Sequence, residues 1–260
     1  MKTNWMQRML MLAVVTGLAV SACGTESVVT GAFGDAGDAR VKVDGSGRVV
    51  EESRPVAGFT AISLYSEGQV TIVQGDEETL TIETDDNMLE YLETTVTDGV
   101  LSIRLREDSR VDLEPTNGIR FDVTVLALDA VDLYGAGSFE IGDLTTDRLS
   151  LTVYGAGDIG IGNLQASELD AVLTGVGSVV VAGQVGRERL TITGTGKIDA
   201  SAMSAEQATV GLSGIGDITV WATDRLDATI SGIGEVHYYG DPSVTQSVTG
   251  AGRFRHLGDK

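Results

Sequence analysis

Cysteine and histidine are almost missing from this chain of 260 residues, which has one cysteine, Cys23, and two histidines, His237 and His256. A single cysteine cannot form an intramolecular disulfide or a cysteine-based zinc site, and two histidines leave little for histidine-based metal or triad chemistry. No recognisable motif surrounds a Ser-His-Asp set. The sequence therefore predicts no metal, no cofactor and a non-enzymatic protein.

Basic residues, prolines and aromatics are also scarce. The chain has 18 Lys and Arg against 38 Asp and Glu, a net charge of −20, which disfavours contact with phosphate backbones. We therefore expect no nucleic-acid partner. Aromatic residues make up 5% of the chain and hydrophobic residues 42%, so the core must be mainly aliphatic. The 34 glycines beside only 3 prolines indicate many tight turns between strands rather than a disordered segment.

The N-terminus predicts export and a lipid anchor. Residues 1–22 resemble a lipoprotein signal peptide, because the basic residues Lys2 and Arg8 precede an apolar run that is too short to cross a bilayer. The run ends in Val-Ser-Ala-Cys, which resembles a bacterial lipobox, so we expect Cys23 to be lipidated and to attach the protein to the membrane. In a Gram-negative host, Gly24 after the cysteine favours the outer membrane. Residues 23–47 are predicted to be a flexible tether and residues 48–260 a single domain.

The most informative pattern is a Gly-x-Gly motif that recurs at a nearly constant spacing. A fixed period of this length is typical of repeat architectures. A phosphate-binding loop is needed only once, so the recurrence indicates a structural role for the glycines. The motifs are Gly135-Ala-Gly137, Gly155-Ala-Gly157, Gly175-Val-Gly177, Gly194-Thr-Gly196, Gly214-Ile-Gly216, Gly232-Ile-Gly234 and Gly250-Ala-Gly252.

Aliphatic residues flank these motifs at a period of two, as in strands with one face buried. Stacked copies would align them in columns, and we therefore predict an all-β fold: a right-handed parallel β-helix, or solenoid, with about seven Gly-x-Gly coils. An antiparallel sandwich or barrel is the alternative. The two clearest columns are Leu133, Val153, Leu173, Ile192, Leu212, Ile230 and Val248 before the motif, and Phe139, Ile159, Val179, Ile198, Ile218, Val236 and Phe254 after it.

The N-terminal part of the domain is less regular. Residues 48–126 predict several strands and one short helix over residues 87–93, with Asp86 as its N-cap. Residues 64–70 resemble a degenerate copy of residues 133–139, so the repeat begins before the first clear Gly-x-Gly. At the other end, bulky and charged residues of the last coil are expected to cap the solenoid.

Two groups of aromatic side chains are candidates for a binding surface. Aromatic rings on a β-face can stack on sugar rings, so a glycan or an envelope protein is the partner we consider. The competing interpretation is that Tyr238 fills a core column and its neighbours close the end of the solenoid. The candidate surface residues are Tyr134 and Tyr154 in the first group, and Trp221, His237 and Tyr239 in the second.

One pair of carboxylates could carry chemistry. Asp217 and Glu235 occupy equivalent positions in adjacent coils, where two carboxylates could bind calcium or act as acid and base. Lys197 and Arg253 occupy the same column on either side and can neutralise them, which favours a structural role. Calcium-binding Gly-Gly-x-Gly-x-Asp repeats are not found in the sequence.

Several segments resemble a known bacterial family, the head GIN domain (a DUF2807-type domain described as an auto-transporter adhesin). They are residues 59–62 (FTAI), 70–75 (VTIVQG), 98–103 (DGVLSI), the serial Gly-x-Gly motifs and residues 227–242 (DATISGIGEVHYYGDP). The resemblance spans roughly residues 50–257. It implies a β-helical body on an envelope protein and brings no catalytic motif, and no C-terminal translocating barrel is evident.

Together these observations predict a lipid-anchored cell-envelope protein with a binding or structural role. A carbohydrate-active enzyme on a β-helix, or an envelope signalling or stress component, are the alternatives.

Overall fold

The computed structural model describes residues 40–260. The predicted signal peptide, the lipidation site Cys23 and most of the predicted tether lie outside these residues. The tether prediction overlaps them at residues 40–47, where Val41–Asp44 forms a parallel strand pair with Val111–Glu114. Regular structure therefore begins before residue 48.

Strands account for nearly all the regular structure of the described residues. Those before the first clear Gly-x-Gly are β1 (Val41–Asp44), β2 (Val49–Arg54), β3 (Ala61–Leu64), β4 (Glu67–Gln74), β5 (Thr79–Asp85), β6 (Leu92–Thr97), β7 (Val100–Leu105), β8 (Val111–Glu114), β9 (Arg120–Val125) and β10 (Ala130–Leu133). The repeat region contains β11 (Ala136–Val153), β12 (Ala156–Leu173), β13 (Val176–Ile192), β14 (Thr195–Leu212), β15 (Ile215–Ile230), β16 (Ile233–Tyr239), β17 (Ser243–Val248) and β18 (Ala251–His256).

The repeats form a parallel β-solenoid of about six turns, as the sequence predicted. Each long strand from β11 to β15 wraps one turn and pairs in parallel with the next one along the chain. The last Gly-x-Gly opens only a partial turn, because β18 ends at His256. In-register parallel pairing excludes the antiparallel sandwich or barrel for the repeat region. No helix among residues 40–260 is both long and apolar enough to cross a membrane.

The less regular N-terminal part begins the solenoid and covers its first turn. β3 and β4 pair in parallel with β10 and β11, which confirms the degenerate repeat, and Gly68 lies in register with Gly137. Beyond them, β5 pairs with β9, and β6 with β7, in antiparallel fashion. The core at this end is therefore closed by strands that reverse direction.

The short helix predicted over residues 87–93 is wrong in extent. The structure has a single 3-10 turn over Leu89–Tyr91, and its N-cap is Met88, which makes no side-chain cap. Asp86 instead accepts a hydrogen bond from Ser46 Oγ at 2.6 Å. Leu92 is already extended and begins β6, because pairing with β7 satisfies its backbone better than another helical turn would.

The predicted aliphatic columns are confirmed as the core. The residues that follow the Gly-x-Gly motifs, from Phe139 to Val236, pair with one another in register and are almost fully buried. Those that precede the motifs, from Leu133 to Ile230, are equally buried. A single turn could not bury its own apolar side chains. Stacking the turns buries them between neighbours in one continuous core.

Close backbone approach at the corners explains the glycines. Gly177 has φ +152°, and a Cβ placed there would lie 1.7 Å from the carbonyl oxygen of Gly157 on the previous turn. Gly175 is restricted as well, since its Cβ would lie 2.0 Å from the carbonyl oxygen of Gly155. From Gly157 to Gly234, the second glycine of each motif thus needs both a positive φ and the absence of a side chain.

The C-terminal end of the solenoid is more open than predicted. Phe254 and His256 do stack on Tyr238, with ring centroids 4.9 and 4.5 Å apart. Val248, however, is 43% exposed, whereas Ile230, its partner on the preceding turn, is 0% exposed. Among the described residues, no strand pairs with the outer edges of β17 and β18. The cap is therefore partial, because the stacked rings cover only one side of the last turn.

One core position holds a carboxyl group. Glu188 is 3% exposed and lies in register between Leu169 and Ala208, in a column that is otherwise aliphatic. Both of its carboxyl oxygens are buried without a hydrogen-bond partner, and burial raises the pKa of Glu188 well above its usual value. The neutral acid is therefore favoured in the folded protein.

The corner geometry leads to a stability prediction. Gly177→Ala should lower the free energy of unfolding by about 2–4 kcal/mol, because the new methyl group is forced against a backbone carbonyl at a positive φ. Gly142→Ala is the control, since a Cβ there has no atom within 4 Å. Urea denaturation followed by circular dichroism measures both. Equal stability of the two variants would contradict the proposed role of the corner.

Glu188 leads to a pH prediction. Because its pKa is raised on folding, its neutral form favours the folded state below the ordinary glutamate pKa, about 4.3, and this contribution is lost as the pH rises above that value. The stability advantage of Glu188→Gln over the natural chain should therefore grow with rising pH. Glu188→Leu also removes the unpaired polar atoms, so it should raise the free energy of unfolding by about 1–3 kcal/mol at neutral pH.

Urea denaturation at a series of pH values tests this, with Glu206→Gln as the control because Glu206 is an exposed carboxylate on the next turn. A stability difference between Glu188→Gln and the natural chain that stays constant with pH would show that the buried carboxyl does not titrate as inferred.

Candidate binding surface

A row of hydroxyl-bearing residues runs along one corner of the solenoid, immediately before the glycines. Each backbone N–H from the second member onward donates to a carbonyl oxygen on the previous turn over 2.8–2.9 Å, so the row is strictly in register. We call it the hydroxyl ladder, and it consists of Tyr65, Tyr134, Tyr154, Thr174, Thr193, Ser213, Ser231 and Thr249.

The tyrosines of the ladder form one continuous stack. The ring centroids of Tyr65 and Tyr134 are 4.5 Å apart, and those of Tyr134 and Tyr154 are 4.7 Å apart, with the planes nearly parallel in both pairs. Both faces of Tyr134 are therefore covered by its neighbours. A sugar ring could stack only on the outer face of Tyr65 or Tyr154, so the stack mainly presents ring edges and hydroxyl groups to solvent.

Two further rows border the ladder. The middle residues of the Gly-x-Gly motifs form an exposed corner row: Ala136, Ala156, Val176, Thr195, Ile215, Ile233 and Ala251. The residues two positions before the ladder form a less exposed inner row: Ser63, Asp132, Thr152, Val172, Thr191, Gly211, Thr229 and Ser247. Together the three rows make a strip of hydroxyl and apolar groups along the turns.

Charge is nearly excluded from this strip. Within the three rows Asp132 alone is charged, and Glu67 occupies the corner position one turn before Ala136. Asp132 accepts a hydrogen bond from Ser63 Oγ at 3.4 Å, and desolvation raises the pKa of its carboxyl. Desolvation and the nearby Asp132 also raise the pKa of Tyr134, so its hydroxyl keeps its proton.

The second predicted aromatic group is partly covered by the chain itself. Trp221 and Tyr239 lie in register on adjacent turns, and Lys260 Nζ lies 5.5 Å from the first ring centroid and 4.8 Å from the second. The same ammonium group donates to the carbonyl oxygen of Ser201. The C-terminal lysine therefore occupies a place over both rings that a ligand cation or sugar would otherwise use.

His237 and Tyr238 have other neighbours. His237 Nε2 lies 2.9 Å from Glu235 Oε2, whereas Tyr238 is half-buried and belongs to the closing stack with Phe254. The structure thus separates Tyr134 and Tyr154 from Trp221, His237 and Tyr239, which lie on different columns of the solenoid. They do not form one site.

The carboxylate pair is held by local contacts. Glu235 Oε1 accepts a hydrogen bond from Arg253 at 2.8 Å, and this contact, followed by that with His237, holds the pKa of Glu235 below its usual value. Asp217 accepts a hydrogen bond from the backbone N–H of Glu235 at 2.8 Å. Glu235 therefore lacks the raised pKa of a general acid. This geometry supports the predicted structural role.

The charge compensation predicted between Lys197 and Asp217 is not what the structure shows. Lys197 Nζ instead lies 2.7 Å from Asp199, two residues further along its own strand. Side chains two apart on a strand share a face, so this pair forms without spanning two turns. Across residues 40–260, no group of three or more His, Cys, Asp or Glu side chains could hold a metal ion.

Sequence reasoning missed Tyr65 and Glu188. Tyr65 could have been included, because the degenerate repeat at residues 64–70 places it in the same column as Tyr134. Glu188 interrupts a column of Leu149, Leu169, Ala208 and Leu226, and aligning that column would have revealed it. Its carboxyl oxygens are buried without a hydrogen-bond partner, and the residue borders a cavity that Arg148, Glu168 and Arg187 also line.

Comparison with solved structures shows the same fold in bacterial proteins. A putative adhesin from Bacteroides fragilis matches with a TM-score of 0.77 and 24% identity, covering 83% of this chain and 100% of that one. A putative lipid binding protein from Parabacteroides distasonis matches with a TM-score of 0.68 and 26% identity, covering 83% and 99%. A putative adhesin from the same species matches with a TM-score of 0.64 and 21% identity, covering 83% and 100%.

A comparison with curated proteins found no match. A family model described as "Putative auto-transporter adhesin, head GIN domain" matches residues 58–242, which include the start of the solenoid and all but its last partial turn. The resemblance drawn from the sequence is thereby confirmed: the chain belongs to the DUF2807 head GIN domain family.

Proposed function

We propose that this protein is a non-enzymatic binding protein of the bacterial cell envelope, attached to the membrane by a lipid on Cys23. The observation that carries the binding role is the strip of uncharged side chains that repeats on successive turns of the solenoid. A rigid array of like groups offers a partner the same contacts many times over. The adhesin descriptions in the family and among the structural neighbours support an envelope or surface location.

Several features support binding rather than catalysis. Arg253 pairs with Glu235, the carboxyl oxygens of Glu188 are buried, and no metal-binding cluster exists among the described residues. A carbohydrate-active enzyme would need acid and base groups converging on one groove. Glu168, Asp170 and Glu188 do line one cavity, but Glu168 is paired with both Arg148 and Arg187. An envelope signalling or stress role would also depend on a partner surface, but no contact in the structure favours it over simple binding.

The anchor leads to a localisation prediction. Cys23→Ala removes the thiol that would carry the acyl chains, so the exported variant should move from the membrane fraction to the soluble fraction, because a protein needs its acyl chains for stable attachment. Fractionation of cells followed by immunoblotting measures this, and Ala22→Gly, which keeps a small residue before the cysteine, is the control. A Cys23→Ala chain that stays with the membrane would refute the lipid anchor.

The binding role predicts that the protein binds a ligand without converting it to a product. The full chain should bind at least one ligand in a screen of glycans and envelope proteins, and mass spectrometry should show the bound ligand chemically unchanged. Release of any glycan product during the incubation would contradict the proposal that the protein is not an enzyme. An absence of binding to every ligand class would contradict the proposed binding role itself.

A further inference from the structure

We propose that the hydroxyl ladder and the corner row bind a neutral, hydroxyl-rich glycan extended along the solenoid axis. The inference rests on the binding function proposed above and names the class of ligand. It follows from the charge, the spacing and the chemistry of the strip.

The charge distribution selects against ionic ligands. The chain has a net charge of −20, yet from Thr152 onward the three rows contain no Asp, Glu, Lys or Arg. Charged residues lie in the rows on either side, where Arg225 pairs with Asp227 and Arg253 with Glu235. An anionic or cationic ligand would find no counter-charge within the strip, and desolvating it there would cost free energy. A neutral ligand meets no such cost.

The regular spacing of the ladder hydroxyl groups favours a polymeric ligand. Parallel strands place equivalent side chains about 4.8 Å apart, so the hydroxyl groups of the ladder recur at that interval over its whole length. Thr193 Oγ1 donates to Thr174 Oγ1 at 3.3 Å, which shows that adjacent members are close enough to share one ligand group. A chain of repeating units can use several turns at once, and its affinity then rises with its length.

The chemistry of the strip matches that of sugars. Serine, threonine and tyrosine hydroxyls both donate and accept hydrogen bonds, as the hydroxyl groups of a glycan do. Beside them, Val176, Ile215 and Ile233 are 59%, 54% and 56% exposed, an arrangement that favours contact with an apolar surface. Sugar rings carry apolar C–H faces as well as hydroxyl edges, so one ligand can use both rows.

The stacked tyrosines refine the mode of binding. Because Tyr65 and Tyr154 cover the faces of Tyr134, the hydroxyl groups and ring edges, rather than ring faces, must contact most of the ligand. The binding mode is therefore a row of hydrogen bonds flanked by apolar contacts. Extensive ring stacking is not part of it.

Titration calorimetry of the full chain tests this proposal with an array of neutral oligosaccharides of increasing length. The comparison ligands are a matched series of uronic-acid oligosaccharides and vesicles of phosphatidylcholine. We expect binding to a neutral series, an affinity that rises with chain length and little dependence on salt, since no charges are paired.

A pair of double variants locates the site. Thr174→Val with Thr193→Val removes two ladder hydroxyls that bond to each other and keeps the shape and strand preference of both side chains. It should weaken binding about tenfold, the effect of one or two lost hydrogen bonds. Thr209→Val with Thr219→Val makes the same change on other outward rows and should leave the affinity unchanged.

Circular dichroism confirms that both double variants fold. The proposal is overturned if no neutral oligosaccharide binds, if only the uronic-acid series or only the vesicles bind, or if both double variants lose affinity equally. Binding confined to an envelope protein would refute the glycan ligand while leaving the broader binding function intact, so the two failures can be told apart.

Discussion

The structure depends on one steric constraint, the contact between glycine backbones at the corner of each turn. The carbonyl oxygen of Gly157 fills the space that a Cβ of Gly177 would need, and the same relation recurs from turn to turn. Chains can approach this closely only where the residue at the corner has no side chain. The constraint therefore sets where every turn bends, and with it the register of all the strands that follow.

Register then decides the character of every surface. Because equivalent residues of successive turns lie side by side, one position in the repeat becomes a continuous row in the structure. Aliphatic positions become the core, and the hydroxyl positions before the glycines become the ladder. The same rule makes Glu188 unusual, since a single carboxyl group in an aliphatic column has only apolar neighbours on the adjacent turns. The free energy lost by burying this carboxyl group is offset by the many apolar side chains buried in the same core.

The two ends and the sides of the solenoid offer different chemistry. Antiparallel strands cover the core at the N-terminal end, whereas the side chain of Val248 at the C-terminal end is partly exposed to solvent. Along the sides, ion pairs occupy some rows and an uncharged strip occupies others. This separation suits the proposed binding role, because the charged groups lie outside the neutral strip that would contact a partner.

The sequence by itself determined the parallel solenoid, its core columns, the role of the glycines and the family, because strict repetition turns a local pattern into a global one. It also indicated the row that contains Tyr134 and Tyr154. Only the tertiary structure showed that Tyr134 is covered on both faces, that Lys260 lies over Trp221, and that Lys197 pairs along its own strand. These contacts depend on side-chain conformation and on segments outside the repeat, which no period in the sequence specifies.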